Sequence, residues 1–283
     1  MPGRPIPRTA LLLLAGLAAA CGGGADPGGS PAPPTVVVST SMLGEAVRAI
    51  PALQGGVRIV ELVPPGSCPG HFDLRPEQAA QLGEASAVLY PEFQEELGRR
   101  LGAMEGLRER LVRVPVPSSP LVPEAFLRTV EFVAGELERL EPRWRGRLAA
   151  SLEPTRRRLR TLALRLREGA APLAGTPVAA SRFQAEFCRW LGLEVVAELP
   201  RNGDAAPGAL AAALDPRARL VVANLQEGTA AAGAVGERLG IPVAVLSAFP
   251  GAPGAGSGYE ELLLDNLEAL EEAWRRSASP SGR

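Results

Sequence analysis

The chain has 283 residues and a formal net charge of −1, and all 30 of its strong cations are arginines because it contains no lysine. Without a basic surplus, nucleic acid is not expected as a partner. The length is sufficient to build one large domain or two lobes of ordinary size.

The first 34 residues predict export and a lipid anchor. Two arginines precede an apolar run that ends at Ala20, and this run is too short for a bilayer core, which needs about 20 apolar residues. Residues 1–20 therefore predict a signal peptide. Cys21 directly follows Leu-Ala-Ala-Ala, which resembles a bacterial lipobox, and residues 21–34 are a Gly/Pro/Ser-rich tether. We expect an exported protein of the cell envelope or periplasm, anchored to the membrane by a lipid at Cys21 without spanning it.

From residue 35 to 120, apolar β-branched runs alternate with helical patterns, which is typical of parallel α/β layers. The expected strands are TVVVST, VRIVELV, AVLY and RLVRVPV, and the expected helices are Glu45–Ile50, Glu77–Glu84 and Glu92–Met104. Near-continuous Val, Ile and Leu runs of this kind indicate strands buried on both faces. The pattern predicts a first α/β lobe.

Residues 121–172 predict a helical linker, interrupted by Pro142 and Pro154. Its arginine-rich stretch is interpreted as a solvated helix face, because leucines recur through it at helical spacing. Residues 173–283 predict a second α/β lobe. Its strands are PVAAS, EVVAELP, RLVVANL and IPVAVLS, and its helices are RFQAEFCRWLG, Gly208–Leu214, Thr229–Leu239 and Tyr259–Arg276. The predicted fold is α/β, with two parallel-sheet lobes, a long helical linker and a cleft between the lobes.

In such sheets, ligands bind beyond the carboxyl ends of the strands. The loop after the second strand, PPGSCPGHFDLRP, carries Cys68 and the only histidine, His71. A thiolate and an imidazole three residues apart can converge on one metal ion. Two ligands do not make a site, so the residues alone leave equally open an exposed histidine beside a structural or disulfide-bonded cysteine.

Cys188 is interpreted as a packed thiol on the flank of a buried stripe formed by Phe183, Phe187 and Leu191. A disulfide between Cys68 and Cys188 is not expected, because it would tie the two lobes together.

The stretch LVPPGSCPGHFDLRPEQAAQLGEASAVLY resembles the hallmark of zinc/manganese-type solute-binding proteins of ABC transporters, in which a VPPGxDPHxYEP loop carries the first metal histidine. His71 matches that histidine within a slip of one residue. The resemblance continues through TVVVSTSMLGEAV, LERLEPRWRGRLAASLEPTRRRL, SRFQAEFCRWLGLEV, VVANLQEG, IPVAVLSAFPG and GYEELLLDNLEAL, and so covers essentially the whole mature chain. It implies capture of a metal ion for a permease and its ATPase.

The chain departs from the family in its ligands. SSPLVPEAF lacks the second histidine, the third position falls on Ser181, and the carboxylate position falls near Ser247. Either another ligand set occupies the same cleft, or the ligand is no longer a bare metal ion. Candidates for a new set, beside Cys68 and His71, are Met42, Ser181, Gln184, Asn224, Gln226, Glu227 and Ser247. Each has an alternative structural role. Met42 could pack in the core, and Asn224 and Gln226 could form hydrogen bonds to backbone groups of their loop. Glu227 could be an ordinary surface charge.

The leading hypothesis is a monomeric, lipid-anchored binding protein that delivers a metal ion, zinc by resemblance, with copper(I) or manganese as alternatives. No organic cofactor is expected. A scaffold that has lost metal transport and binds another small molecule or a partner is the alternative. An enzyme is not expected, because the chain has no HExxH motif or nucleophile elbow, and no third group is evident to orient Cys68 and His71.

Overall fold

The computed structural model of the chain describes residues 33–68, 75–199 and 214–278, which belong to one compact unit. The predicted signal peptide, the lipidation site Cys21 and almost all of the tether lie outside the described residues. So do His71 and nearly all of the helix expected at Gly208–Leu214.

Eight strands in the described residues form two parallel sheets of four strands each. The strand orders are β2-β1-β3-β4 and β6-β5-β7-β8, so that the second sheet repeats the topology of the first. The strands are β1 Thr35–Val38, β2 Arg58–Glu61, β3 Ala87–Pro91, β4 Leu111–Val114, β5 Pro177–Ser181, β6 Glu194–Leu199, β7 Leu220–Asn224 and β8 Val243–Leu246. The predicted α/β fold with two parallel sheets is confirmed.

Helices follow most of the strands and also link the two sheets. The α-helices are α1 Ser41–Arg48, α2 Pro76–Gly83, α3 Glu95–Gly102, α4 Pro123–Leu140, α5 Glu153–Ala170, α6 Arg182–Trp190, α7 Ala230–Leu239 and α8 Tyr259–Ala278. Helices α4 and α5 occupy the stretch between the sheets that the sequence predicts to be helical. None of the helices in the described residues combines the length and the apolar character needed to span a bilayer.

Strand β1 shows why these runs fold as buried strands. All four of its residues are buried, and successive side chains point to opposite faces of the sheet. Val36 and Val38 join the large core shared with the linking helices, whereas Val37 packs with Leu82 of α2 and Leu101 of α3. Helices therefore cover both faces of this sheet, as the near-continuous apolar pattern predicts.

One apolar core runs from the first sheet through α4 and α5 to the second sheet and α8. At its centre, the ring of Tyr259 stacks on Phe126 with 3.7 Å between ring centroids. The Tyr259 hydroxyl donates a hydrogen bond of 2.9 Å to the Pro120 carbonyl, and burial raises its pKa well above the usual value. The two sheets are thus parts of a single packed body.

Candidate functional site

The strand order of each sheet creates a crevice between its first and third strands, where ligands of open α/β sheets bind. A matching hydrogen-bonded pair lies at this point in both lobes. In the first lobe, Ser39 follows β1 and its Oγ donates to Gln94 Oε1 at 2.5 Å; in the second, Ser181 ends β5 and its Oγ donates to Glu227 Oε2 at 2.7 Å. Each partner lies three residues beyond the end of the third strand of its sheet. The two crevices therefore contain the same arrangement, in which a serine hydroxyl at the end of the first strand donates to a side chain that follows the third strand.

The carboxyl ends of the two sheets face each other. Gln226, after β7, donates from Nε2 to the carbonyl of Pro65 at 3.1 Å and to Ser247 Oγ at 2.9 Å, and its Oε1 accepts from Ala248 N at 3.0 Å. Pro65 belongs to the loop after β2 in the first lobe. Ser41 Oγ makes a second contact between the lobes, to the Pro250 carbonyl at 2.8 Å. The described start of the β2 loop therefore lies against the second lobe.

The packing at Gly66 shows how closely the β2 loop approaches the second lobe. A Cβ atom added to Gly66 would lie 3.1 Å from Cδ of Pro253, in the loop after β8. Cys68, two residues further on, is an exposed free thiol. His71 lies outside the described residues, so the pairing of Cys68 with His71 stays a prediction.

Cys188 is separate from this loop. It is fully buried, and burial raises the pKa of its thiol to about 12. Both Cys68 and Cys188 are free thiols. A buried, protonated thiol is a poor metal ligand, because the thiolate is the form that binds metals.

Three of the candidate ligands have structural partners. Met42 is buried in the shared apolar core. Asn224 Oδ1 accepts the N–H groups of Gln226 and Glu227 and so caps the short turn after β7. Ser247 N donates to Asn266 Oδ1 at 2.9 Å. These contacts correspond to the core and backbone-partner roles that the sequence also allows for Met42 and Asn224.

Glu227 is the one carboxylate in the candidate set. With its partner Ser181 it lines a cavity of about 10 Å³, together with Leu199, Ala223, Asn224, Gly228, Ala231 and Ala232. A cavity of this size has room for about one water molecule. The α7 side of the cavity is lined by Ala231 and Ala232, and Ser181, Asn224 and Glu227 are its polar residues.

Helix α6 presents a different face from the expected one. The prediction that Phe183 belongs to the buried stripe is wrong: its side chain is 42% exposed, and the Arg182 guanidinium lies 4.6 Å from the ring centroid. Phe183 lies in the first turn of α6, where its N–H donates to the capping Ser181 hydroxyl, and the residues that this helix buries are Gln184, Ala185, Phe187 and Cys188. Gln184 occupies the buried face instead, with Cys188 one turn further along. The helical spacing of Gln184, Cys188 and Leu191 predicts that these residues share one face of the helix. Gln184 is polar, however, and polar residues are not expected in an apolar core.

The described residues contain no group of three or more His, Cys, Asp or Glu side chains that can hold a metal ion. Hydroxyl and amide oxygens, which dominate the cleft, are poor ligands for Zn²⁺ compared with thiolate, imidazole and carboxylate. A metal site in this cleft would therefore draw on residues outside the described ranges as well, and His71 is the candidate ligand among them.

Comparisons with known proteins identify the fold. Neither the scan of protein-family profiles nor the search of curated proteins gives a match. Solved structures do match: ZnuA, with a TM-score of 0.67 and 20% identity over 85% of this chain and 99% of the other; and the solute-binding protein FpvC from Pseudomonas aeruginosa in complex with Mn²⁺, with a TM-score of 0.70 and 19% identity over 87% and 100%. A third is the laminin-binding protein Lmb of Streptococcus agalactiae, with a TM-score of 0.69 and 15% identity over 85% and 99%.

These matches define the class of fold. The chain has the two-sheet α/β fold of periplasmic metal-binding proteins of the solute-binding type, and the resemblance seen in the sequence is confirmed at that level. Lmb is described as a bifunctional protein with adhesin and metal-transporting activity.

Proposed function

We propose that the chain is the extracytoplasmic substrate-binding lipoprotein of an ABC importer and that it captures a metal ion between the ends of its two sheets. The observation that carries the proposal is the hydrogen bond from Gln226 to Pro65, because it brings the loop with Cys68 against the second lobe. A ligand held there touches both halves of the molecule. The fold shared with proteins described as metal-binding supports the same reading.

The proposed ligands are Cys68 and His71 from the β2 loop and Glu227 from the second lobe. Thiolate, imidazole and carboxylate together suit Zn²⁺, and zinc is also the ion that the sequence resemblance implies. Copper(I) would require a softer set, and Met42, the thioether candidate, is buried in the core. Manganese would require more oxygen ligands. The lipid at Cys21, the permease and ATPase partners, and the monomeric state belong to the same proposal.

Isothermal titration of the mature chain carrying Cys21→Ser against zinc, manganese, nickel and copper(I) tests the metal. We expect binding tighter than micromolar for at least one ion, and a loss of about tenfold or more in affinity for His71→Ala, Cys68→Ser and Glu227→Gln. Glu237→Gln is the matched control, because Glu237 is exposed near the other end of α7. If no ion binds more tightly than micromolar, metal capture is refuted.

A second candidate is capture of a non-metal molecule or a protein partner on the same scaffold. It is favoured by the lack of a three-residue metal cluster in the described part of the chain. Titrations repeated with metal-free protein in the presence of EDTA separate the two candidates. Binding of an organic solute that survives EDTA supports the second candidate, and binding that EDTA abolishes supports the first.

A further inference from the structure

The linking helix α5 and the turn before it carry a concentrated positive charge. Residues 143–167 contain nine arginines and a single acidic residue, Glu153, which gives this stretch a formal charge of +8 in a chain whose net charge is −1. Six of the arginines are exposed and lie in the turn before α5 or in the first two turns of the helix. These six form what we call the arginine face: Arg143, Arg145, Arg147, Arg157, Arg158 and Arg160.

Carboxylates of the chain neutralise only part of the arginine face. Arg143 lies 2.9 Å from Glu141, and Arg157 lies 3.6 Å from Glu153. Neighbouring like charges on a helix repel each other, so the remaining surplus favours contact with an anionic surface. The cations of the face that have no ion-pair partner within the described ranges are Arg145, Arg147, Arg158 and Arg160.

An exposed leucine continues the arginine face along α5. Leu164 is 62% exposed, which is the largest exposure of any large apolar side chain in the described part of the chain. It lies one turn beyond Arg160 and two turns beyond Arg157, so the three side chains form a row on the helix surface. The apolar stripe of α5 itself packs in the core, which leaves Leu164 facing outward among cations. Leucine beside arginines is typical of helix surfaces that lie on lipid headgroups.

The arginine face lies at the end of the first lobe where the chain enters β1. There the Pro34 carbonyl accepts a hydrogen bond of 2.9 Å from Arg58 N at the start of β2, and Ala52 N, in the turn before β2, donates to Ser151 Oγ at 3.3 Å. Ser151 directly precedes α5 and separates the turn arginines of the face from its helix arginines. The stretch from Cys21 to Pro34 spans at most about 40 Å, so a lipid at Cys21 keeps the face within reach of the membrane.

We infer that the arginine face and Leu164 bind the anionic phospholipid headgroups of the membrane to which the chain is anchored. This inference rests on the lipid anchor in the proposed function and goes beyond it, because it assigns a second, non-covalent attachment. Guanidinium groups bind phosphate oxygens through paired N–H groups, and a basic patch adds to the limited membrane affinity of an acyl anchor. The cleft lies at the carboxyl ends of the strands, at the opposite end of the first sheet, and so stays open to its cargo.

Cosedimentation of the mature Cys21→Ser chain with vesicles tests the protein surface without the lipid. Vesicles of phosphatidylglycerol and phosphatidylcholine in equal amounts are compared with vesicles of phosphatidylcholine alone. We expect binding to the anionic vesicles to be about tenfold or more stronger, and to be lost in about 1 M salt, where the Debye length is about 3 Å. Equal binding to both kinds of vesicle, or none to the anionic kind, overturns the inference. So does binding to heparin without binding to vesicles, which would assign the face to a soluble polyanion.

Two charge-matched variants locate the contact. The first replaces the four arginines of the face that lack an ion-pair partner, and we expect it to weaken binding to anionic vesicles about tenfold or more. The second should weaken it much less, and an equal loss in both means that total charge rather than this face sets the binding, which overturns the inference. The first variant is Arg145→Gln, Arg147→Gln, Arg158→Gln and Arg160→Gln. The second changes exposed arginines of the second lobe: Arg189→Gln, Arg217→Gln, Arg219→Gln and Arg238→Gln.

A substitution of the exposed leucine tests the apolar part of the contact. Leu164→Ser should weaken binding to anionic vesicles by a few-fold, whereas Val245→Ser, at a 42% exposed position on β8, should leave it unchanged. An equal effect of both substitutions removes Leu164 from the contact and contradicts the inference as stated.

Metal titration of the same variants separates this inference from the proposed function. The fourfold variant of the arginine face should bind metal like the parent chain, and its Tm should be unchanged or slightly higher because repulsion on α5 is reduced. Metal binding without vesicle binding refutes the membrane contact alone. Vesicle binding without metal binding refutes metal capture alone.

Discussion

Substitution of Gln226 tests whether the second lobe holds the β2 loop in place. Gln226→Ala removes three hydrogen bonds, to Pro65, Ser247 and Ala248. Gln226→Glu keeps an oxygen that accepts from Ala248 N but can no longer donate to the Pro65 carbonyl. Both variants therefore lose the hydrogen bond that holds the loop. They differ within the second lobe, where only Gln226→Glu keeps the bond from Ala248 N.

The expected magnitude follows from the number of bonds and their exposure. A hydrogen bond contributes about 1 kcal/mol net, and the Gln226 side chain is only partly buried, so water replaces some of what is lost. We expect Gln226→Ala to cost about 2 kcal/mol of unfolding free energy, which for a protein of this size lowers the Tm by about 4–8 °C. The unfolding free energy and the Tm of Gln226→Glu should fall between those of the alanine variant and the wild type.

Hydrogen exchange of the loop amides provides the assay. The amides of Gly66, Ser67 and Cys68 should exchange faster in both Gln226 variants than in the wild type, because the loop has lost its anchor on the second lobe. Gln54→Ala, which changes an exposed glutamine, is the matched control and should alter neither the exchange nor the Tm. Loop exchange that is unchanged in both Gln226 variants would refute the reasoning that places this loop between the two sheets.

Three further predictions concern single residues. In the folded Cys21→Ser chain at pH 8, iodoacetamide should label Cys68 but not Cys188, because burial raises the pKa of Cys188 to about 12; mass spectrometry of the labelled protein checks this. Glu138→Gln should cost about 1 kcal/mol at pH 7, measured by urea unfolding, because the carboxylate accepts from two backbone N–H groups. Tyr259→Phe should cost about 1–2 kcal/mol by the same measurement, because it leaves the buried Pro120 carbonyl without its hydroxyl donor.

The Glu138 prediction also has a pH dependence of known sign. Hydrogen bonds from the backbone, the largest from Ala149 N, lower the pKa of Glu138 below its ordinary value of 4.5. A lowered folded-state pKa contributes stability above the unfolded-state value, and this is lost as the pH falls through the folded-state value. The difference between wild type and Glu138→Gln should therefore shrink from pH 7 to pH 3. Glu136→Gln, a surface partner of Arg139, should cost about 0–1 kcal/mol.

Each of these results has an outcome that contradicts it. Labelling of Cys188 at the rate of Cys68 would mean that the core around α6 opens readily in the native state. A Glu138→Gln cost that is the same at pH 3 and pH 7 would show that the carboxylate charge is not what stabilises the turn. A Tyr259→Phe variant as stable as the wild type would show that the Pro120 carbonyl finds another donor.

The central strands of each sheet were the most predictable, because their residues are buried on both faces. Runs such as TVVV at β1 and LVVAN at β7 have few other ways to bury β-branched side chains, and they lie where the sequence predicts them. Helix ends were less predictable. The helix expected from Glu92 begins at Glu95, because residues 91–94 form a turn in which Gln94 N donates to the Pro91 carbonyl.

The site was predictable only as a set of positions. The rule that ligands bind beyond strand ends selects Ser181, Glu227 and Gln226 from the sequence. Their pairings depend on tertiary contacts such as that between Gln226 and Pro65, which are 161 residues apart. Local periodicity carries no information on such contacts. The burial of Gln184 was hidden for a related reason, because a glutamine is expected to be exposed, and only the tertiary packing of α6 places it among the buried residues.

Anomalous diffraction at the zinc edge, from crystals of the mature chain grown with zinc chloride, tests the central claim most directly. We expect one anomalous peak between the carboxyl ends of the two sheets, in contact with Cys68 and His71. A peak only on the outer surface, or no peak at zinc concentrations that saturate binding in solution, would contradict the claim that this cleft captures the cargo.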